Sequence, residues 1–124
     1  IDKYENERGS LVAINELPFK AKRTFYVKNV PKGQVRGKHA HFRNKQILIC
    51  ISGLISVKLD TGSFVKNVEL KEGNGIFVNN LIWDEQTYKT GEDILLSICS
   101  TEYDDDDYIR NYDEFKRIIK ERRL

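Results

Sequence analysis

The sequence predicts a small, mainly β protein, a sandwich or barrel, closed by one C-terminal amphipathic helix. Between residues 11 and 99, short apolar or alternating runs recur at regular spacing, separated by Gly, Pro, Asn and Asp turn signals. From residue 104 the period changes, and Tyr108, Ile109, Tyr112, Phe115, Ile118 and Ile119 follow one another at spacings that suit one helix face. The length of 124 residues fits a single domain, 1–124, with the barrel expected over 7–100 and the helix over 104–122.

Each element has its own signal. Glu7-Arg8-Gly9-Ser10 turns into an apolar strand at Leu11–Ile14, with Arg8 at its mouth. Pro18 breaks the chain, and the β-branched and aromatic residues of Ala21–Val27 favour a second strand. There Lys22, Thr24 and Tyr26 share one face and Arg23, Phe25 and Val27 the other, with Tyr26 expected to face a cavity. Asn29–Gly33 reads as a turn. If residues 39–43 are extended, His39, His41 and Arg43 point to one side.

Ile47–Ile51 is apolar throughout, as a strand buried on both faces would be. Ile55, Val57 and Leu59 alternate with polar residues, Asp60-Thr61-Gly62-Ser63 forms a hairpin turn, and Phe64–Leu70 returns. Ile76–Val78, Leu81–Asp84 and Asp93–Cys99 complete the strands. Asp104–Asp107 would cap the helix, and Lys116, Arg117, Lys120, Arg122 and Arg123 would complement its dipole at the other end. The acidic run lacks the ligand spacing and central Gly of a calcium loop. Cys50 and Cys99, inside apolar runs, are expected to pack as small buried hydrophobes.

A formal net charge of +2 gives no electrostatic footprint for nucleic acid. No run approaches the ~18 apolar residues of a membrane span, and the first residues lack a signal-peptide core, so a cytoplasmic location is expected.

Both histidines lie in Gly33–Gly53, and proton chemistry near neutral pH is expected there. Gly33, His39-Ala40-His41, Gln46 and Gly53 stand at intervals that resemble the first motif of the cupin superfamily, implying a small jelly-roll (double-stranded β-helix) barrel. Gln46 occupies the place where metal-binding cupins carry a Glu ligand. Gly73–Asp84 resembles the second motif, with Asp84 in place of its final His. This donor set suits the usual cupin metal poorly, so acid/base chemistry without a metal or other cofactor is expected.

A narrower resemblance rests on Arg36-Gly37-Lys38-His39-Ala40-His41 with Gln46-Ile47-Leu48-Ile49-Cys50. It is supported by Glu7–Leu11, Lys22–Tyr26 and Tyr103–Phe115. Together these resemble the sugar-nucleotide 3,4-ketoisomerases, cupins of the WxcM-like group. The resemblance implies that a dTDP-linked 4-keto-6-deoxyhexose is converted to its 3-keto isomer through an enediol. It further implies a place in the biosynthesis of 3-amino-3,6-dideoxy sugars for surface glycans.

By the same resemblance, His39 is the expected base and His41 its partner, with the division of labour open, and Tyr26 a further proton relay. Arg36, then Arg8 and Arg23, are the expected substrate-binding arginines, suited to a diphosphate. Gln46 would meet sugar hydroxyls and Trp83 would stack on sugar or base. Asp84–Tyr88 would lie near the sugar and help select the face of C4 that is protonated. Related cupin 3,5-epimerases usually carry one His after Arg-Gly, and a non-catalytic sugar-binding cupin would need no histidine pair. A metal-dependent dioxygenase is a further alternative. A homodimer is expected, formed by exchange of N-terminal strands.

Overall fold

The computed structural model describes residues 2–122 and arranges eleven strands and one α-helix. β1 (Asp2–Asn6) and β2 (Gly9–Ala13) form an antiparallel hairpin belonging to neither main sheet. The strand expected at Leu11–Ile14 therefore begins at Gly9, and its partner β1 was not legible, because Asp2-Lys3-Tyr4-Glu5-Asn6 has neither apolar alternation nor a buried face. The barrel strands proper start well after residue 7.

They are β3 (Arg23–Val27), β4 (Val35–His41), β5 (Gln46–Ser52), β6 (Leu54–Asp60), β7 (Val65–Lys71), β8 (Gly75–Val78), β9 (Trp83–Tyr88), β10 (Ile94–Cys99) and β11 (Tyr108–Ile109). One sheet runs β3-β10-β5-β8 and the other β11-β4-β9-β6-β7, every pairing antiparallel. Two facing sheets built from strands far apart in sequence give the expected jelly-roll barrel.

The lower half of the barrel is packed by Leu48, Cys50, Ile55, Val57, Leu70, Tyr88 and Leu95, leaving the other half for polar groups. Both cysteines are buried and free, as expected. Within β5 the expectation of burial on both faces fails at Ile51, which is 44% exposed. Ile51 borders a groove shared with Val12 of the N-terminal hairpin.

The helix begins later than its periodicity suggested. α1 spans Tyr112–Arg122, while Asp105–Asp107 form a single 3₁₀ turn. Tyr108 and Ile109 are drawn into the sheet opposite His41 and Ala40, because pairing with the end of β4 satisfies their backbone groups. Asn111 caps the helix, its side-chain oxygen accepting from the Glu114 N–H at 2.9 Å. The acidic run instead closes the turn and β4: Asp104 accepts from Asp106 N–H, and buried Asp107 accepts from the N–H groups of Arg43 and Asn44. Arg123 and Leu124 lie outside the described residues.

α1 covers the outer face of β4 and β9. Ala40, Trp83, Ile109, Phe115 and Ile118 form a second core there. Trp83 is 3% exposed and meets Tyr112 and Phe115 at ring-centroid distances of 5.3 and 5.7 Å. Tyr112 also donates to Asp60 on β6, tying the helix to the barrel.

Candidate active site

The polar half of the barrel holds a cavity of about 310 Å³ between the two sheets, large enough for part of a sugar nucleotide. β4 supplies its central feature. A bulge at Gly37-Lys38, both with positive φ, shifts the strand register before His39. After the bulge His39 and His41 both face the cavity, while Ala40 between them points to the helix core. The imidazoles meet edge-on with centroids 4.9 Å apart. Arg43 does not join them: the chain bends after β4, and its guanidinium reaches Asp104 at 2.7 Å.

Tyr108, on β11, closes this cluster, its ring centroid 5.2 Å from His39 and 4.5 Å from His41. Arg110 lies over the Tyr108 ring at 4.1 Å. Sequence reasoning assigned Tyr108 to a helix face and Arg110 to no role; only the pairing of β11 with β4 brings them here.

Burial lowers His39 to about 3, with His41 and Arg110 adding to the effect. It lowers His41 to about 4, where nearby Asp107 opposes the shift and Arg110 and Arg23 reinforce it. Both imidazoles are therefore neutral at physiological pH. Each has an unprotonated ring nitrogen that can accept a proton and, on the other nitrogen, an N–H to donate.

Behind His39 lies a polar network on the cavity floor. Asp84, fully buried, stands in register opposite His39 on the neighbouring strand, its Oδ2 3.9 Å from His39 Nε2. Gln86 Nε2 donates to Asp84 Oδ1 at 2.8 Å, and Gln46 Nε2 donates to Oδ2 at 3.3 Å. Tyr88 in turn donates to the Gln86 amide oxygen, and Ser97 to that of Gln46. Burial raises the Asp84 carboxyl to about 7, against the lowering effect of the Gln86 hydrogen bond. Gln46 is thus buried and bonded at both ends. Among the described residues, no group of three or more His, Cys, Asp and Glu side chains is gathered in the manner of a metal cage.

The remaining expected site residues divide by strand alternation. Arg36 and Arg23 line the cavity, the Arg23 guanidinium stacking between Phe25 at 4.6 Å and Tyr103 at 5.1 Å. Tyr26 is at the cavity border but on the outward half of β3, 63% exposed, so Arg23, Phe25 and Val27 form the inner face. Trp83 is removed from the cavity altogether: it points away from Asp84 on the same strand, into the helix core, where no sugar or base can stack. Of Asp84–Tyr88, residues Asp84, Gln86 and Tyr88 point inward, whereas Glu85 accepts from Trp83 on the outer face. Arg8 is in the exposed turn of the N-terminal hairpin and does not reach this cavity.

The family model described as FdtA, WxcM-like, C-terminal matches residues 1–120. A TDP-4-oxo-6-deoxy-α-D-glucose-3,4-oxoisomerase of Aneurinibacillus thermoaerophilus is 36% identical over 121 residues, 94% of this chain and 87% of that protein. The crystal structure of QdtA, a sugar 3,4-ketoisomerase from Thermoanaerobacterium thermosaccharolyticum in complex with TDP, superposes with a TM-score of 0.92. It is 34% identical and covers 99% of this chain and 93% of its own. A mutant of the same enzyme, solved with TDP-4-keto-6-deoxyglucose, gives a TM-score of 0.92 at 33% identity and covers 99% and 92% of the two chains.

Proposed function

The chain belongs to the FdtA, WxcM-like family, and on that premise we propose that it is a sugar-nucleotide 3,4-ketoisomerase acting on dTDP-4-keto-6-deoxyglucose. The product is the dTDP-3-keto-6-deoxyhexose. The observation that carries the reading is the pair of neutral imidazoles, 4.9 Å apart, on one wall of a cavity lined by two arginines.

The reaction moves a proton from C3 to C4 and a ketone the other way. His39 takes the C3 proton, which the adjacent carbonyl acidifies, and an enediolate forms. His41 or His39 then returns a proton to C4 while the O3 proton is relayed toward O4. The reaction is redox-neutral overall, and imidazole acid/base chemistry is enough for each proton transfer. Arg36 and Arg23 bind the diphosphate, as their cavity-lining guanidinium groups suit its oxygens. Gln46, fully bonded within the floor, acts on the sugar only through the order it imposes on Asp84.

The enzyme works in the cytoplasm, as an early step toward 3-amino-3,6-dideoxy sugars of surface glycans. It does so as a homodimer joined through the N-terminal hairpin. Support for the dimer comes from Tyr4, Leu11 and Val12, which are 63, 61 and 44% exposed on a hairpin that pairs with neither main sheet. Arg8 approaches substrate only if the hairpin reaches a second copy.

The test is incubation with dTDP-4-keto-6-deoxyglucose in deuterated water, followed by NMR. Deuterium at C4 with a ketone at C3 is the expected result. Exchange confined to C3 and C5, without ketone migration, would make the protein a 3,5-epimerase, and neither exchange nor ketone migration would leave a binding protein.

A further inference from the structure

We propose that Asp84 is a positioning residue that supplies the counter-charge to His39 while His39 holds the C3 proton, an inference that rests on the ketoisomerase reading. When the C3–H bond breaks, its proton bonds to a nitrogen of neutral His39. Its electron pair becomes the C3–C4 double bond as the carbonyl π pair moves to O4. A neutral pair of reactants thus becomes an imidazolium and an enediolate inside a cavity where charge is poorly solvated. With burial, His41 and Arg110 all disfavouring the imidazolium, something nearby must favour it.

The fold supplies a carboxylate. Asp84 Oδ2 is 3.9 Å from His39 Nε2, on the strand paired with β4, and the Asp84 side chain is fully buried. Its hydrogen-bond partners are arranged for the ionised form, against the effect of burial. Tyr88 OH and Ser97 Oγ donate to the amide oxygens of Gln86 and Gln46, which turns both NH₂ groups inward, one onto each carboxylate oxygen. Two outer hydroxyls therefore fix two amides, and the amides present only donors to Asp84.

The titratable groups around Asp84 are few. His39 faces it from β4, with His41 beyond, and Glu85 and Tyr88 belong to its own strand. Arg36, opposite Gln86 in the β4–β9 register, is the cation near Tyr88. From β5, β6 and β10 the neighbours are Gln46, Leu59 and Ser97, which do not titrate.

The ionised form is needed for turnover, so kcat/KM, which reports the free enzyme, rises with pH through about 7, the value to which burial raises the Asp84 carboxyl. The histidines, lowered to about 3 and 4, contribute no limb in that range. Asp84→Asn keeps the shape and removes the charge. It is expected to lower kcat on the order of 10²-fold, short of the ~10⁴-fold lost where a carboxylate bonds the imidazole directly, with KM within about threefold. Its remaining activity is expected to be flat across the range where the native enzyme rises.

A variant with kcat within about threefold of native, or one that keeps the limb, overturns the proposal. Gln86→Leu provides a second measurement that leaves the carboxylate in place. Losing the donor that stabilises the ionised form moves the limb to higher pH, and an unmoved limb overturns the proposal independently of how Asp84→Asn folds. Failure of the ketoisomerase reading is distinguishable, because then the native protein itself shows no ketone migration, and the role of Asp84 falls with it.

Discussion

Gly37 lacks a side chain where Asp84 needs the room: a Cβ on Gly37 would lie 2.9 Å from Asp84 Oδ1 and 3.1 Å from Gln86 Nε2. The bulge that aims the histidines and the network behind them therefore meet at one atom-sized gap. Gly37 also has φ of +81°, a conformation that costs other residues about 1 kcal/mol or more. Gly37→Ala should destabilise the protein by about 1–3 kcal/mol in urea unfolding and reduce kcat in the folded fraction, since Asp84 must move. Unchanged kcat would show that the position of Asp84 is not critical.

Replacing the histidines one at a time separates their roles. His39→Asn should lower kcat by ~10²–10⁴-fold and abolish solvent exchange at C3 of the substrate. His41→Asn should leave C3 exchange detectable while slowing appearance of the C3 ketone. The reverse pattern in the NMR time course would make His41 the base.

Acid should weaken the fold through the same groups. Between about pH 6.5 and 4, the unfolded chain carries protons on both histidines, ordinary value 6.5, whereas the folded protein, with values of about 3 and 4, carries none. Asp84 acts in the opposite direction, being protonated in the fold below about 7 and ionised when unfolded above 3.8. The unfolded state thus binds one net proton more, and these three groups reduce stability by about 1.4 kcal/mol per unit as pH falls. In a His39→Asn/His41→Asn double variant only Asp84 remains, and the slope from these positions changes sign, a difference of about 2.7 kcal/mol per unit. Urea unfolding at pH 6 and pH 5 measures it, and parallel slopes would contradict the neutral histidines.

Trp83 should behave as a packing residue. Trp83→Ala removes the side chain between Tyr112 and Phe115 and should lower stability by about 3–5 kcal/mol. KM of the folded fraction should stay within about twofold of native. A large rise in KM at unchanged stability would return Trp83 to the substrate.

Chelation distinguishes imidazole catalysis from a metal centre. Prolonged treatment with EDTA followed by gel filtration should leave ketoisomerase activity unchanged, and activity restored only by an added divalent metal would reverse that assignment.

Much of this was legible in the chain, for physical reasons specific to particular residues. His39-Ala40-His41 with Gln46 and Gly53 could be read because a strand alternates with a period of two, which sends both histidines to one side whatever surrounds them. Ile55, Val57 and Leu59, and the hairpin at Asp60–Ser63, were equally local. The face chosen by each strand was not local. Tyr26 and Phe25 are adjacent aromatics with similar strand propensity, and only packing against β10 and the far sheet decides that Phe25 turns inward.

The sequence by itself determined the alternation of β6, the presence of a C-terminal amphipathic helix, the histidine pair and the family to which they point. The tertiary structure decided which groups join that pair. It sends Trp83 to the helix side and Asp84 to the barrel interior behind His39, because successive residues of β9 point to opposite sides of the sheet. It also brings Tyr108 from 67 residues away in the chain to His41, since the 3₁₀ turn at Asp105–Asp107 delivers β11 to the free edge of β4. Periodicity describes a segment alone, whereas a catalytic neighbourhood is set by backbone pairing between segments, and that pairing forms only when the sheets close.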